Sequence, residues 1–118
     1  MDVLLTNNPL AAERFKSLFE VDYREISYLD VLKAARDMVH NGAHLLTHPL
    51  SSSLKPNETP YKSIVVTNIK LGLDIESLQI IENSIELCKN FLPLRRDINE
   101  GTLRDFMEID CALINKNN

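Results

Sequence analysis

HLLTHPLSSSLKPNETPYKS, residues 44–63, is the stretch on which the reading of the fold turns. Leu45 and Leu46 close a short apolar run that ends in Thr47-His48-Pro49. Three serines and a polar segment with two more prolines follow, and Ser63 then opens a second apolar run, Ile64-Val65-Val66. One buried strand therefore ends at Thr47 and another begins at Ser63, with a long polar connection between them. Connections of that length inside a compact domain are mostly either functional or disordered. This one carries the imidazole of His48, the hydroxyls of Ser51, Ser52, Ser53, Thr59 and Tyr61, the Asn57 amide, the Glu58 carboxylate, and the ammonium groups of Lys55 and Lys62. That set suits a binding site and spells out no reaction.

Upstream, Val3-Leu4-Leu5 reads as a buried strand and Thr6-Asn7-Asn8-Pro9 as a turn. A helix opens at Pro9 or Leu10 and runs to about Phe19, with Asn8 as its N-cap. Val21 to Ser27 alternates and predicts a second strand. Leu29, Leu32, Ala35, Met38 and Val39 recur at helical spacing in the next helix, which Gly42 ends in a left-handed cap. Ala43 to Thr47 is the third predicted strand. Downstream, Ser63 to Asn68 is the fourth and Leu71-Gly72-Leu73 a turn. Asp74 and Glu76 then start a third helix, where negative charge suits the dipole. Leu78, Ile81, Ile85, Cys88 and Leu92 mark its apolar stripe, and Pro93 stops it. Arg95 to Glu100 is an exposed connection. Thr102 caps a last helix, with Asp105 in a weak capping box and Leu103, Phe106, Ile109, Asp110 and Leu113 on the inner side.

The order is βαβαβ-loop-βαα. It predicts a three-layer α/β sandwich: a mainly parallel sheet of about four strands flanked by about four helices. The loop holds no helix, which leaves the fourth strand free to run antiparallel. Residues 1–114 form the expected single α/β domain and 115–118 a polar tail.

LLTNNPL at 4–10 resembles LLTHPL at 45–50. Two short strings can match by chance, but both lie at predicted strand ends. With strand order 2-1-3 the two ends would be neighbours where the winding reverses, the crevice where open α/β sheets bind ligands. Thr6, Asn7, Asn8, Thr47, His48 and Ser51 to Ser53 would line it. Helix N-terminal N–H groups and neutral donors suit a small anion or a carboxylate. His48 would add charge or a proton, and Lys55 or Lys62 would neutralise the ligand. The plain alternative is that Thr47 and His48 satisfy turn backbone and the serines solvate a loop.

Other classes are excluded or weak. A chain of 118 residues with net charge -4 lacks the concentrated Lys and Arg that nucleic acid needs. No apolar run approaches the roughly 20 residues that cross a bilayer, and no signal peptide is evident, so a cytoplasmic protein is expected. Cys88 and Cys111 form no CxxC and are expected to be free thiols. His40 and His44 stand at i and i+4, but Gly42 lies between them and no carboxylate is suitably placed, so no metal site is expected. Glu82 and Glu86 read as a solvated pair. Three glycines exclude a glycine-rich nucleotide cradle, and nothing calls for a cofactor.

TNNPL at 6–10, SYLDVLKAARDMVHNGAHLLTHPLSSSLKPNETPYKS at 27–63 and IESLQIIENSIE at 75–86 resemble the GrdX family, small proteins encoded beside the glycine reductase genes of amino-acid-fermenting anaerobes. THPLSSSLKPNETPYKS is the specific part. The resemblance implies association with a system that converts glycine to acetyl phosphate and ammonia, and carries over no catalytic residue. Three functions compete. The first is an accessory or regulatory protein of amino-acid reduction that binds a small anionic or amino-acid metabolite. The second is a small enzyme with His48 as general acid or base, helped by Glu58 or Tyr61. The third is an interaction module docking on a glycine reductase component or a second copy, with Leu92, Leu94 and Ile98 as contacts.

Overall fold

The computed structural model describes residues 1–50, 54–94 and 99–116. Ser51 to Ser53, Arg95, Arg96, Asp97 and Ile98 lie outside the described residues.

Strand β1 (Val3–Thr6) is followed by helix α1 (Pro9–Arg14), strand β2 (Glu20–Tyr23) and helix α2 (Tyr28–His40). Strand β3 (Ser63–Val66), helix α3 (Ile75–Phe91) and helix α4 (Glu100–Lys116) complete the order. The sheet is three-stranded, β2-β1-β3, with β2 parallel and β3 antiparallel to β1. Alternation along β1 splits the core. Leu5, Ile64 and Val66 face α2 and α3 with Tyr28, Leu32 and Ile81. Leu4 and Val65 face α1 and α4 with Phe15, Cys111 and Ile114. The layering is helices on both faces of one sheet, as the sequence predicts.

The sheet differs from expectation. The third predicted strand, 43–47, forms a single antiparallel bridge, Leu45 to Val66. Threonine hydroxyls interrupt its ladder. The Val65 N–H donates to Thr47 Oγ1 at 3.0 Å, and the His44 N–H donates to Thr67 Oγ1 at 2.9 Å. On its outer side the Leu45 N–H is capped by Ser77 Oγ of α3 at 3.0 Å. The predicted fourth strand, β3, inserts between this segment and β1. The described sheet is therefore mixed, with three strands rather than four, and the two similar strand ends are not neighbours.

Local signals explain most termini. Asn8 caps α1 through its side chain, with Pro9 following. Ser27 caps α2, and Asp74 caps α3 through both the N–H and hydroxyl of Ser77. Helix α1 ends at Arg14 rather than near Phe19, and a turn after it still brings Phe15 and Phe19 edge to face at 6.3 Å. The α4 cap is Asn99, whose Oδ1 accepts the Thr102 N–H at 2.9 Å, so Thr102 is not the cap. Gly42 has φ +104°, and a Cβ there would meet Lys70 Cβ at 3.2 Å. Gly42→Ala should therefore lose about 1–3 kcal/mol of unfolding free energy in urea titration. A neutral result would mean that this turn relaxes without strain.

Candidate functional site

The carboxyl end of β1 is closed by the protein itself. Thr6 Oγ1 and Ser63 Oγ lie 2.7 Å apart across the β1–β3 register, and Ser63 donates to Asp110 Oδ2 at 2.6 Å. Asn8 Nδ2 donates to Asp110 Oδ2 and to the Met107 carbonyl, both at 3.0 Å. Asn7 is spent on backbone: it donates to the Ile26 and Pro60 carbonyls and accepts the Lys62 N–H at 2.8 Å. So Thr6, Asn7 and Asn8, expected to hold an anion, hold their own chain together. The carboxylate that meets Asn8 directly, and Thr6 through Ser63, is Asp110, buried on α4.

Lys62 lies at the centre of this end, 3% exposed, with its ammonium 5.6 Å from the centroid of the Tyr28 ring. No carboxylate among the described residues stands within 4.0 Å of it. Burial pushes the Lys62 pKa down, and Asp110 opposes that shift. Tyr28 is buried too, its hydroxyl has no hydrogen-bond partner among the described residues, and burial drives its pKa upward. Two cavities of about 10 Å³ adjoin Lys62 and Asp110. Each is near the size that one water fills, so neither admits a metabolite.

A lysine with a lowered folded pKa binds fewer protons folded than unfolded, between that pKa and its ordinary 10.5. Stability therefore rises with pH across that window. Lys62→Met removes the rise. The difference in unfolding free energy between wild type and variant should move in favour of wild type as pH climbs toward 10.5. Taking the difference cancels Tyr28, which acts in the opposite sense above its ordinary value of 10.0. A flat difference would mean that Lys62 stays charged throughout.

The long connection is folded on itself. Thr47 Oγ1 is spent on Val65, and His48, exposed, accepts the Leu50 N–H on Nδ1 at 3.1 Å. Glu58 Oε1 accepts the Lys55 N–H at 3.0 Å while its own N–H returns to the Lys55 carbonyl at 2.8 Å. The Lys55 ammonium stands over the Phe91 ring at 5.6 Å. Thr59 Oγ1 accepts the Tyr61 N–H, and Asn57 Oδ1 is buried with no partner among the described residues. The fold also supplies a carboxylate for His44 that spacing did not reveal, Asp74 at 3.9 Å. No group of three or more potential metal ligands occurs among the described residues.

An open cleft does exist at the carboxyl ends of the two parallel strands. It holds about 470 Å³ and is lined by Asn7, Pro9, Tyr23, Glu25, Ile26, Ser27, Pro60, Tyr61 and Leu103. Of the expected residues that are described, only Asn7 and Tyr61 line it. Tyr61 is half-buried, and its pKa is raised by burial and then by Tyr23. Sequence reading missed Tyr23, Glu25 and Ser27 because it ran the second strand on to Ser27, whereas β2 ends at Tyr23 and leaves them at its carboxyl end, where ligands bind in open α/β sheets.

A family model described as GrdX-like protein matches residues 3–117. The chain belongs to the GrdX-like protein family. The match spans the carboxyl-end network, the long connection and α4 alike. No curated protein and no solved structure matches the chain. Among the described residues no helix is long and apolar enough to cross a membrane.

Proposed function

We propose that this GrdX-like chain is an accessory protein of glycine reductase and anaerobic amino-acid reduction that binds a small amino-acid metabolite at the carboxyl ends of β1 and β2. The single observation that carries the reading is the 470 Å³ cleft with Tyr23, Glu25 and Tyr61 in its wall at the start of α2. Two phenol rings and a carboxylate suit an ammonium group, primary or methylated. The positive end of α2, a helix of 13 residues, suits the carboxylate of the same molecule. Glycine, sarcosine and betaine have both ends. A doubly charged phosphate fits less well, because the Glu25 carboxylate lines the cleft.

His48 as an acid–base catalyst finds less support, since it is bonded to its own loop. Partner docking keeps one observation in its favour: Ile69, Leu71, Leu73 and Ile75 are all more than half exposed in one segment.

Thermal unfolding with glycine, sarcosine, betaine, phosphate and acetyl phosphate tests the reading. A ligand at 100 times its dissociation constant should add about 2.7 kcal/mol. The gain should vanish in Tyr61→Ala and Glu25→Gln and persist in His48→Ala. Stabilisation by phosphate but by no amino acid would overturn the assignment. Co-purification of the tagged chain with glycine reductase components tests the association separately.

A further inference from the structure

Strand β2 is an outer strand of the described sheet with one edge unused. The Glu20 N–H donates to the Asp2 carbonyl and the Arg24 N–H to the Thr6 carbonyl, both at 2.9 Å. Alternation then turns the main chain of Glu20, Asp22 and Arg24 toward β1 and that of Val21 and Tyr23 outward. No hydrogen bond joins those outward groups to another described residue. A groove of about 510 Å³ runs from β2 across Val3 of β1 and Val66 of β3 to Met38 of α2 and Lys70. Unpaired strand edges are templates for a further strand.

The residues of the edge say which strand fits. Read against itself in antiparallel sense about Asp22, the segment Glu20-Val21-Asp22-Tyr23-Arg24 sets Glu20 opposite Arg24 and Val21 opposite Tyr23. Both are favourable cross-strand pairs, one ionic and one β-branched with aromatic. The parity agrees. Val21 and Tyr23, which face outward, fall on hydrogen-bonded positions. Asp22, which faces β1, falls on the non-bonded position at the axis. The two Asp22 carboxylates meet there, but each is already held in two bonds of 3.0 Å by Arg24 of its own strand. An axis at Val21 would set Glu20 against Asp22 twice. An axis at Tyr23 would run past the strand, where the Ile26 N–H bonds the Arg24 carbonyl.

We infer that the outer edge of β2 is the site where a second copy of this chain adds, by antiparallel pairing of residues 20–24 about a two-fold axis at Asp22. Two three-stranded sheets then become one continuous sheet. The pairing also walls the flank of the carboxyl-end cleft, because Tyr23 of the edge strand lines that cleft.

Sedimentation velocity on the whole chain tests this, with four variants. Wild type should sediment as a dimer. Val21→Pro removes an outward N–H and leaves the β1 ladder intact, as edge prolines do, so it should sediment as a folded monomer. Glu20→Arg should weaken the dimer at least tenfold, and Glu20→Arg with Arg24→Glu should restore it, which self-pairing alone predicts. Asp22→Cys should cross-link to a covalent dimer on mild oxidation, since non-bonded opposite positions lie about 4.5 Å apart. If Val21→Pro fails to fold, the charge exchange and the cross-link still decide. A wild-type monomer at millimolar concentration, a dimer indifferent to the charge exchange, or an Asp22→Cys chain that does not cross-link would each overturn the inference.

Discussion

Asp110→Ala should lower the free energy of unfolding by about 2–4 kcal/mol, since two donors lose a buried, charged acceptor. The carboxylate accepts from Ser63 Oγ at 2.6 Å and from Asn8 Nδ2 at 3.0 Å, and it is the charge that opposes the burial shift of Lys62. Its loss leaves a buried ammonium without the charge that offsets its burial and a hydroxyl with one fewer partner. Lys62 can limit the damage by releasing its proton, so its folded pKa should fall further in the variant. The alkaline rise in stability would then begin at lower pH than in wild type. Asp110→Asn separates the two contributions, since it keeps an acceptor oxygen and loses the charge. If Asp110→Asn is as costly as Asp110→Ala, charge is the larger part. If Asp110→Ala costs under about 1 kcal/mol, the value of an ordinary hydrogen bond, the network is not a stabilising centre. Denaturant titration across pH supplies both readings.

Asn8→Ala should cost about 2–4 kcal/mol, more than an N-cap alone. An N-cap substitution is worth about 0.5–2 kcal/mol, and here the Asn8 Oδ1 accepts the Leu10 N–H at 3.0 Å in that role. The same side chain, fully buried, also donates to Asp110 and to the Met107 carbonyl of α4. Truncation therefore takes a donor from the buried Asp110 carboxylate, at about 1–3 kcal/mol, and detaches α4 from the start of α1. The exposed Arg14–Glu108 pair at 2.8 Å joins the same two helices and cannot make up the loss. Hydrogen exchange would register the difference by region. Amides of α4 should open well before those of α2 and α3, which pack on the opposite face. Uniform loss of protection would mean that α4 unfolds only with the whole chain.

Much of the scaffold was legible in the chain because its signals are local. Asn8 before Pro9, Ser27 before Tyr28 and Gly42 after His40 each announce a helix end through backbone chemistry that needs no distant partner. Ile81, Ile85 and Cys88 keep helical spacing and are buried as read. The segment 43–47 misled because apolar content cannot reveal that Thr47 and Thr67 hydroxyls replace main-chain ladder bonds. The candidate site was less legible for the same reason. Thr6, Asn7 and Asn8 are donors and acceptors with either a ligand or the protein opposite them, and only tertiary structure brings Asp110 there from the far end of the sequence. Asp110 on an otherwise apolar helix face was the available clue. Tyr23 and Glu25 offered position alone, at the end of a parallel strand.

The two margins of the sheet are built differently, and this bears on how large an assembly can grow. Segment 44–47 turns the Leu45 N–H into Ser77 and meets β3 through two main-chain bonds flanked by threonine side chains. At that margin the Leu45 and Ala43 N–H groups are taken by Ser77 and Met38, which opposes strand addition, whereas β2 is open. A molecule with one open margin and a self-complementary sequence on it consumes that margin when it pairs. Association by this route stops at two, as an isologous contact must, and no further chain can join end to end into a filament.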